Sequence, residues 1–150
     1  MSGIKVDIKN EQKIIKPDIE KINHIAQKVL KEEGINQTEV SILLTDDNKI
    51  RELNRKYRKK DTATDVLAFP QTDNKKQAQE TKILGDVIIS TETCQRQAKL
   101  YNQSLLKEFY LYLIHGLLHL LQYKDENLEN TGIMRKKQNS YLKEIWDEKD

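Results

Sequence analysis

FYLYLIHGLLHLLQYKD, residues 109–125, is the stretch on which the reading of this chain turns. It is the longest apolar run in the sequence, shorter than the roughly 18 residues of a membrane span, and it carries two histidines, so it reads as a buried core helix. An imidazole buried without partners costs on the order of 1–3 kcal/mol, so His115 and His119 need a compensating interaction. Four residues apart on a helix, they share one face with Cβ atoms about 5–6 Å apart, and both rings can reach one ion at roughly 2.0–2.1 Å. The plain alternative is a pair of core histidines bonded to carbonyl or side-chain oxygens.

A third ligand has to come from beyond the helix end. Asp125 stands six residues after His119, where a reversing chain can return a carboxylate to the ion, and Glu126 is the alternative. Two histidines and one carboxylate on tetrahedral zinc leave one position open for water, as hydrolysis requires; nitrogen donors also suit nickel or copper. Gly116 costs a helix interior about 1 kcal/mol relative to alanine, which suggests that another backbone or a substrate passes close by.

Working outward, IKVDIKN (4–10) alternates as a first strand, and Ile19, Ile22, Ile25, Ala26, Val29 and Leu30 recur at helical spacing after Asp18, with Gly34 as the stop. EVSILLT (39–45) is a second strand leading into a helix over NKIRELNRKYR (48–58), capped from the Thr45 to Asp47 region. Ile50, Leu53 and Tyr57 form the packing stripe of that helix, and Arg51, Arg55 and Arg58 a cationic one. DVLAFP and KILGDVIIS read as strands, and the polar QTDNKKQAQET between them as a mobile loop. A helix over TETCQRQAKLYNQ, a Ser104-capped helix through both histidines, and a last helix from about Glu129 to Asp147 complete the chain. Met134, Tyr141, Leu142 and Ile145 face inward on the last. The fold class is α+β, one mixed four-stranded sheet with packed helices, the central buried helix carrying HxxxH.

At 150 residues one domain is expected, and 33% charged against 37% hydrophobic residues suits a soluble globular chain. The net charge of +2 marks no global nucleic-acid field, so any such contact must be a local patch. One cysteine, Cys94, excludes an intrachain disulfide and a four-thiolate zinc site. MSGIKVDIKN lacks the apolar core of a signal peptide, and the cytoplasm is the expected compartment. His24 lies off the apolar stripe of its helix and is expected to be exposed.

HGLLHLLQYKD (115–125) resembles the signature HGxLHLxGYDH of the YbeY family of metal-dependent endoribonucleases. NRKYRKKDTATDVLAFP (54–70) and LGDVIIS (84–90) are similar to two further segments of that family, in the same order. The resemblance covers essentially the whole chain. It implies a zincin-like fold, one zinc ion held by His115, His119 and Asp125, and cleavage of single-stranded RNA. It also implies a role in 16S ribosomal RNA 3′-end maturation and ribosome quality control, and Arg58 as the basic residue of cleavage; protein partners are left open. Three positions depart from the signature: Gln122 replaces its glycine, Lys124 its aspartate and Asp125 its third histidine. Glycine takes the left-handed conformation that lets a chain reverse and glutamine does so reluctantly, so a strained or reshaped turn is expected at Gln122. Aspartate brings a charge that leaves a bound water less acidified.

Arg55, Lys59 and Lys60 flank Arg58 and form the candidate phosphate-binding cluster. Asp61, Asp65 and Asp86 are read first as turn or capping residues and second as groups orienting Arg58 or a histidine. Two further readings stand beside the nuclease. One is a ribosome assembly factor whose metal is structural; the other is a metallopeptidase, which lacks the glutamate of HExxH because Gly116 occupies its place.

Overall fold

The computed structural model describes residues 3–71, 74–123 and 127–147. In chain order these form β1 (Gly3–Asn10), α1 (Ile19–Glu32), β2 (Gln37–Thr45), α2 (Asp47–Arg58), β3 (Val66–Pro70), α3 (Lys75–Glu80), β4 (Ile83–Ser90), α4 (Thr91–Leu100), α5 (Leu105–Leu120) and α6 (Leu128–Asp147). The sheet order is β1-β2-β4-β3. β1 and β4 run parallel to β2, and β3 is an antiparallel edge strand against β4. The mixed sheet and α+β class match the expectation.

Side-chain alternation divides the core. Ile42, Leu44, Ala68, Val87 and Ile89 face the larger cluster, which includes α1 and α5, while Leu67 and Ile88 join Ile50 of α2 on the opposite face. Helix α5 lies on β3 and β4 with α1, α4 and α6 around it, as a helix apolar on nearly every side must. Gly116 sets the closeness of that packing: a Cβ there would stand 2.6 Å from Val87 Cγ1 and 3.0 Å from Val66 Cγ2. What passes close is therefore the side-chain layer of the sheet, not a backbone or a substrate. No helix among the described residues is long and apolar enough to cross a membrane.

Caps fall where short polar side chains precede apolar runs: Asp18, Asp46, Ser90 and Ser104 each accept a hydrogen bond from the backbone N–H three residues on. Two further expectations change. The polar segment 71–81 contains α3, capped by Asn74 and anchored by fully buried Ala78. Ile19 opens α1 at 50% exposure instead of joining its buried stripe. His24 is exposed, as expected, and Cys94 is buried; burial pushes the Cys94 thiol well up, assisted by the charges of Asp65 and Glu108.

Candidate metal centre

Helix α5 holds His115 and His119 half-buried on one face between fully buried Ile114, Leu117, Leu118 and Leu120. Their rings meet edge to face, centroids 4.4 Å apart at 72°, and the two Nε2 atoms converge to 2.9 Å. His115 Nδ1 also contacts Gln138 Oε1 of α6. An amide oxygen only accepts, so Nδ1 of His115 carries a proton, and in the neutral ring Nε2 then presents a lone pair. His119 Nε2–H then donates into that lone pair. Two imidazole nitrogens aimed at one point, one already in its ligating tautomer, fit a divalent transition-metal ion.

Gln138 escaped the sequence reading, although a signal was present. It is the polar member of the inward stripe Met134, Tyr141, Leu142 and Ile145 on α6. Asp125, its alternative Glu126 and Lys124 lie outside the described residues. Among the described residues, no further His, Cys, Asp or Glu joins the pair to make a group of three.

The helix exit is as the sequence leads one to expect. Gln122 has φ +73°, its N–H donates to His119 O at 3.0 Å, and the Tyr123 N–H donates to Leu118 O at 3.1 Å. This crossed pair is a Schellman closure with glutamine in the position glycine favours. A left-handed non-glycine residue costs roughly 1–2 kcal/mol. Gln122→Gly is accordingly expected to raise unfolding stability by up to about 1 kcal/mol, once the greater freedom of glycine in the unfolded chain is set against the relief. Urea denaturation of the metal-free protein checks this; a loss of stability would mean that the glutamine side chain contributes more than the turn costs.

The cationic residues gather at the end of α2 and just beyond it. Arg58 Nη2 donates to Ala68 O of β3 at 2.7 Å, and its guanidinium lies 5.6 Å from the Phe69 ring centre. Phe69 in turn meets Tyr57 edge-on at 5.5 Å. Asp65 O accepts from Ser90 N and Leu84 O accepts from Gln71 N, so by alternation the Ala68 carbonyl points away from β4, and Arg58 covers it at the sheet edge. The same strand supplies Val66, against which Gly116 packs, so β3 lies between the arginine and the histidine helix. Arg55, Lys59 and Lys60 are exposed; Lys59 ends α2 at φ +58°, and the Lys60 N–H donates to Asn54 O.

Asp61 and Asp65 serve local structure. Asp61 takes a two-point ion pair from Arg51, 2.8 and 3.2 Å, and the hydrogen bond from Arg51 holds its carboxyl below the usual range. Asp65 Oδ1 accepts from Val66 N and Thr64 Oγ1. Asp86 is half-buried, and burial pushes its carboxyl up. It lines an open cleft of about 820 Å³ with Lys49, Tyr57 and Phe69, on the sheet face that carries α2. The histidines pack with the other face.

Fold and site together describe an α+β protein with a helix-borne imidazole pair suited to a divalent ion and a cationic helix end at the neighbouring sheet edge. A family model described as Endoribonuclease YbeY matches residues 7–146. A relative named Endoribonuclease YbeY from Carboxydothermus hydrogenoformans is 43% identical over 139 residues, 91% of this chain and 94% of its own length. Another of that name from Aquifex aeolicus is 45% identical over 116 residues, 77% of this chain and 73% of its own. The solution structure of TM1509 from Thermotoga maritima superposes with a TM-score of 0.69 at 27% identity, covering 95% of this chain and 90% of that one. The chain belongs to the YbeY endoribonuclease family.

Proposed function

We propose that this chain is a zincin-like, zinc-dependent endoribonuclease, one domain over residues 1–150. In this reading it works in the cytoplasm on single-stranded RNA and matures the 3′ end of 16S ribosomal RNA as part of ribosome quality control. The observation that carries the reading is the convergence of the two Nε2 atoms in a chain of this family. His115 and His119, completed by Asp125 or else Glu126, hold the ion. Zinc bound there supplies Lewis acidity, polarising a phosphate oxygen and acidifying a water.

The chain's own groups do the rest. Gln138 fixes the His115 ring so that Nε2 faces the ion. One of the five N–H donors of Arg58 is spent on Ala68 O and its plane rests on Phe69, a pre-oriented guanidinium whose other donors offset charge developing on the phosphorane. Arg55, Lys59 and Lys60 contact flanking phosphates. A peptidase would need a carboxylate next to His115, and the Gly116 site has no space for any side chain.

Single-stranded RNA bearing the 16S 3′ end, offered beside its duplex, tests the reading. Cleavage should fall on the single strand, disappear on chelation and return with zinc. Arg58→Ala should lower kcat about 10²-fold or more with folding unchanged, and Lys59→Ala should lower the log–log salt slope of binding by about 1. Salt-sensitive binding without turnover would instead favour the assembly-factor reading, and a salt-independent affinity would remove the cationic cluster from the interface.

A further inference from the structure

Glu33 immediately follows α1 and is 5% exposed. Three groups from two other parts of the chain donate to its carboxylate. Tyr123 Oη reaches Oε1 at 2.6 Å, Lys137 Nζ reaches Oε2 at 2.8 Å, and Tyr141 Oη also donates to Oε2. Burial by itself pushes this carboxyl up; the hydrogen bonds from Lys137, Tyr123 and Tyr141, with the Lys137 charge, overcome that and hold it at about 2. Lys137 also lies 5.6 Å from the Tyr123 ring centre.

The positions of the donors are what matter. Tyr123 closes the last turn of α5, its N–H donating to Leu118 O beside His119. Lys137 is the immediate neighbour of Gln138, and Tyr141 is one turn further along α6. One buried carboxylate thus ties together the two helices whose relative placement creates the contact between His115 Nδ1 and Gln138 Oε1. A side-chain amide held by a helix that can slide or roll fixes no tautomer, because small displacements break a hydrogen bond.

We propose that Glu33 is a positioning residue of the metal site: it pins α6 to the end of α5 so that Gln138 holds His115 in the Nδ1–H tautomer with Nε2 free for the ion. The metal half of this rests on the function proposed above; the tautomer half does not. The fold needs some residue to fill this position, but a purely structural filler would have no reason to influence the imidazole on a different helix.

Long-range proton–nitrogen spectra of the metal-free, imidazole-labelled protein read the tautomer, and a competition titration with zinc reads affinity. The unsubstituted protein should show His115 protonated at Nδ1 alone. Glu33→Gln should give a mixture of tautomers and a zinc Kd at least tenfold weaker, as should Gln138→Ala. Combining the two should weaken binding less than twofold beyond Gln138→Ala, since both act through one contact. Tyr141→Phe, which removes one hydroxyl without changing the fold's volume, should move the same readouts in the same direction and decides the matter if Glu33→Gln does not fold. A folded variant with a lowered Tm but an unchanged tautomer and a zinc Kd within twofold would overturn the proposal and leave Glu33 a stability residue. If the unsubstituted protein takes up no zinc, the functional reading fails, and the tautomer spectra still decide the role of Glu33.

Discussion

His119→Ala is expected to abolish tight zinc binding and to reduce RNA cleavage about 10³-fold or more. The magnitude follows from what the ligand does: the ion is asked for several kcal/mol of transition-state stabilisation, and each 1.36 kcal/mol is a factor of ten in rate. His119 and His115 present the only pair of convergent ring nitrogens among the described residues, so deleting one leaves a single imidazole. Folding should survive. Alanine is the better helix former, His119 is only half-buried, and the flanking Leu118 and Leu120 keep their core contacts. Thermal unfolding with and without zinc separates binding from fold. At a hundredfold excess of zinc over Kd, the unsubstituted protein gains about 2.7 kcal/mol, or roughly 5–10 °C for a chain of this size, and the variant gains almost none. An equal zinc-induced shift in the variant would mean that His119 is not a ligand.

That pair was legible because the apolar period of α5 fixes which residues share a face, and i, i+4 spacing is a local property of the backbone. The division of α2 into a packing stripe and an exposed cationic one was legible for the same reason, with one correction of degree. Tyr57 continues the Ile50 and Leu53 stripe yet remains 60% exposed, since at the end of its helix it meets the rim of the sheet at Phe69 and not the core. Helix α3 was not legible, because among its described side chains Ala78 is the one that is buried, and a single apolar residue has no period. The role of Gln138 needed tertiary structure: α6 must return alongside α5, 23 residues later, before an amide can meet an imidazole.

Glu33 is the instructive case between these. It extends the α1 stripe of Ile22, Ala26 and Val29, so its burial was available from periodicity. Its partners, Tyr123, Lys137 and Tyr141, lie 90 to 108 residues away, and no local pattern points to them. An acid or amide on an apolar stripe is thus a sequence-level flag for a buried polar contact, without information on the partner. The same holds for Gly116. A glycine in a helix signalled a close approach, but only the structure distinguishes valine side chains from substrate.

Gly85→Ala is expected to be the most damaging small substitution in the fold, costing about 3–5 kcal/mol. Gly85 has φ +147°, in a region L-residues rarely adopt, and a Cβ there would lie 2.3 Å from Phe69 O and 3.0 Å from Pro70 Cα. Both are backbone atoms of the strand paired to it, so relief requires β3 to move away from β4. It would also stand 2.9 Å from Leu120 Cδ2, next to His119. Gly116 also lacks room, but there the obstacles are side-chain tips of Val87 and Val66, and alanine recovers about 1 kcal/mol of helix propensity. Its alanine variant should therefore lose less. Chemical denaturation gives the ranking directly, and a Gly85→Ala loss below 1 kcal/mol would contradict the described β3–β4 rung. Because β3 carries the Ala68 carbonyl on which Arg58 rests, the same displacement should free the guanidinium. Residual Gly85→Ala protein that is still folded should then lose kcat more than it loses zinc affinity, which separates the arginine's contribution from that of the histidines.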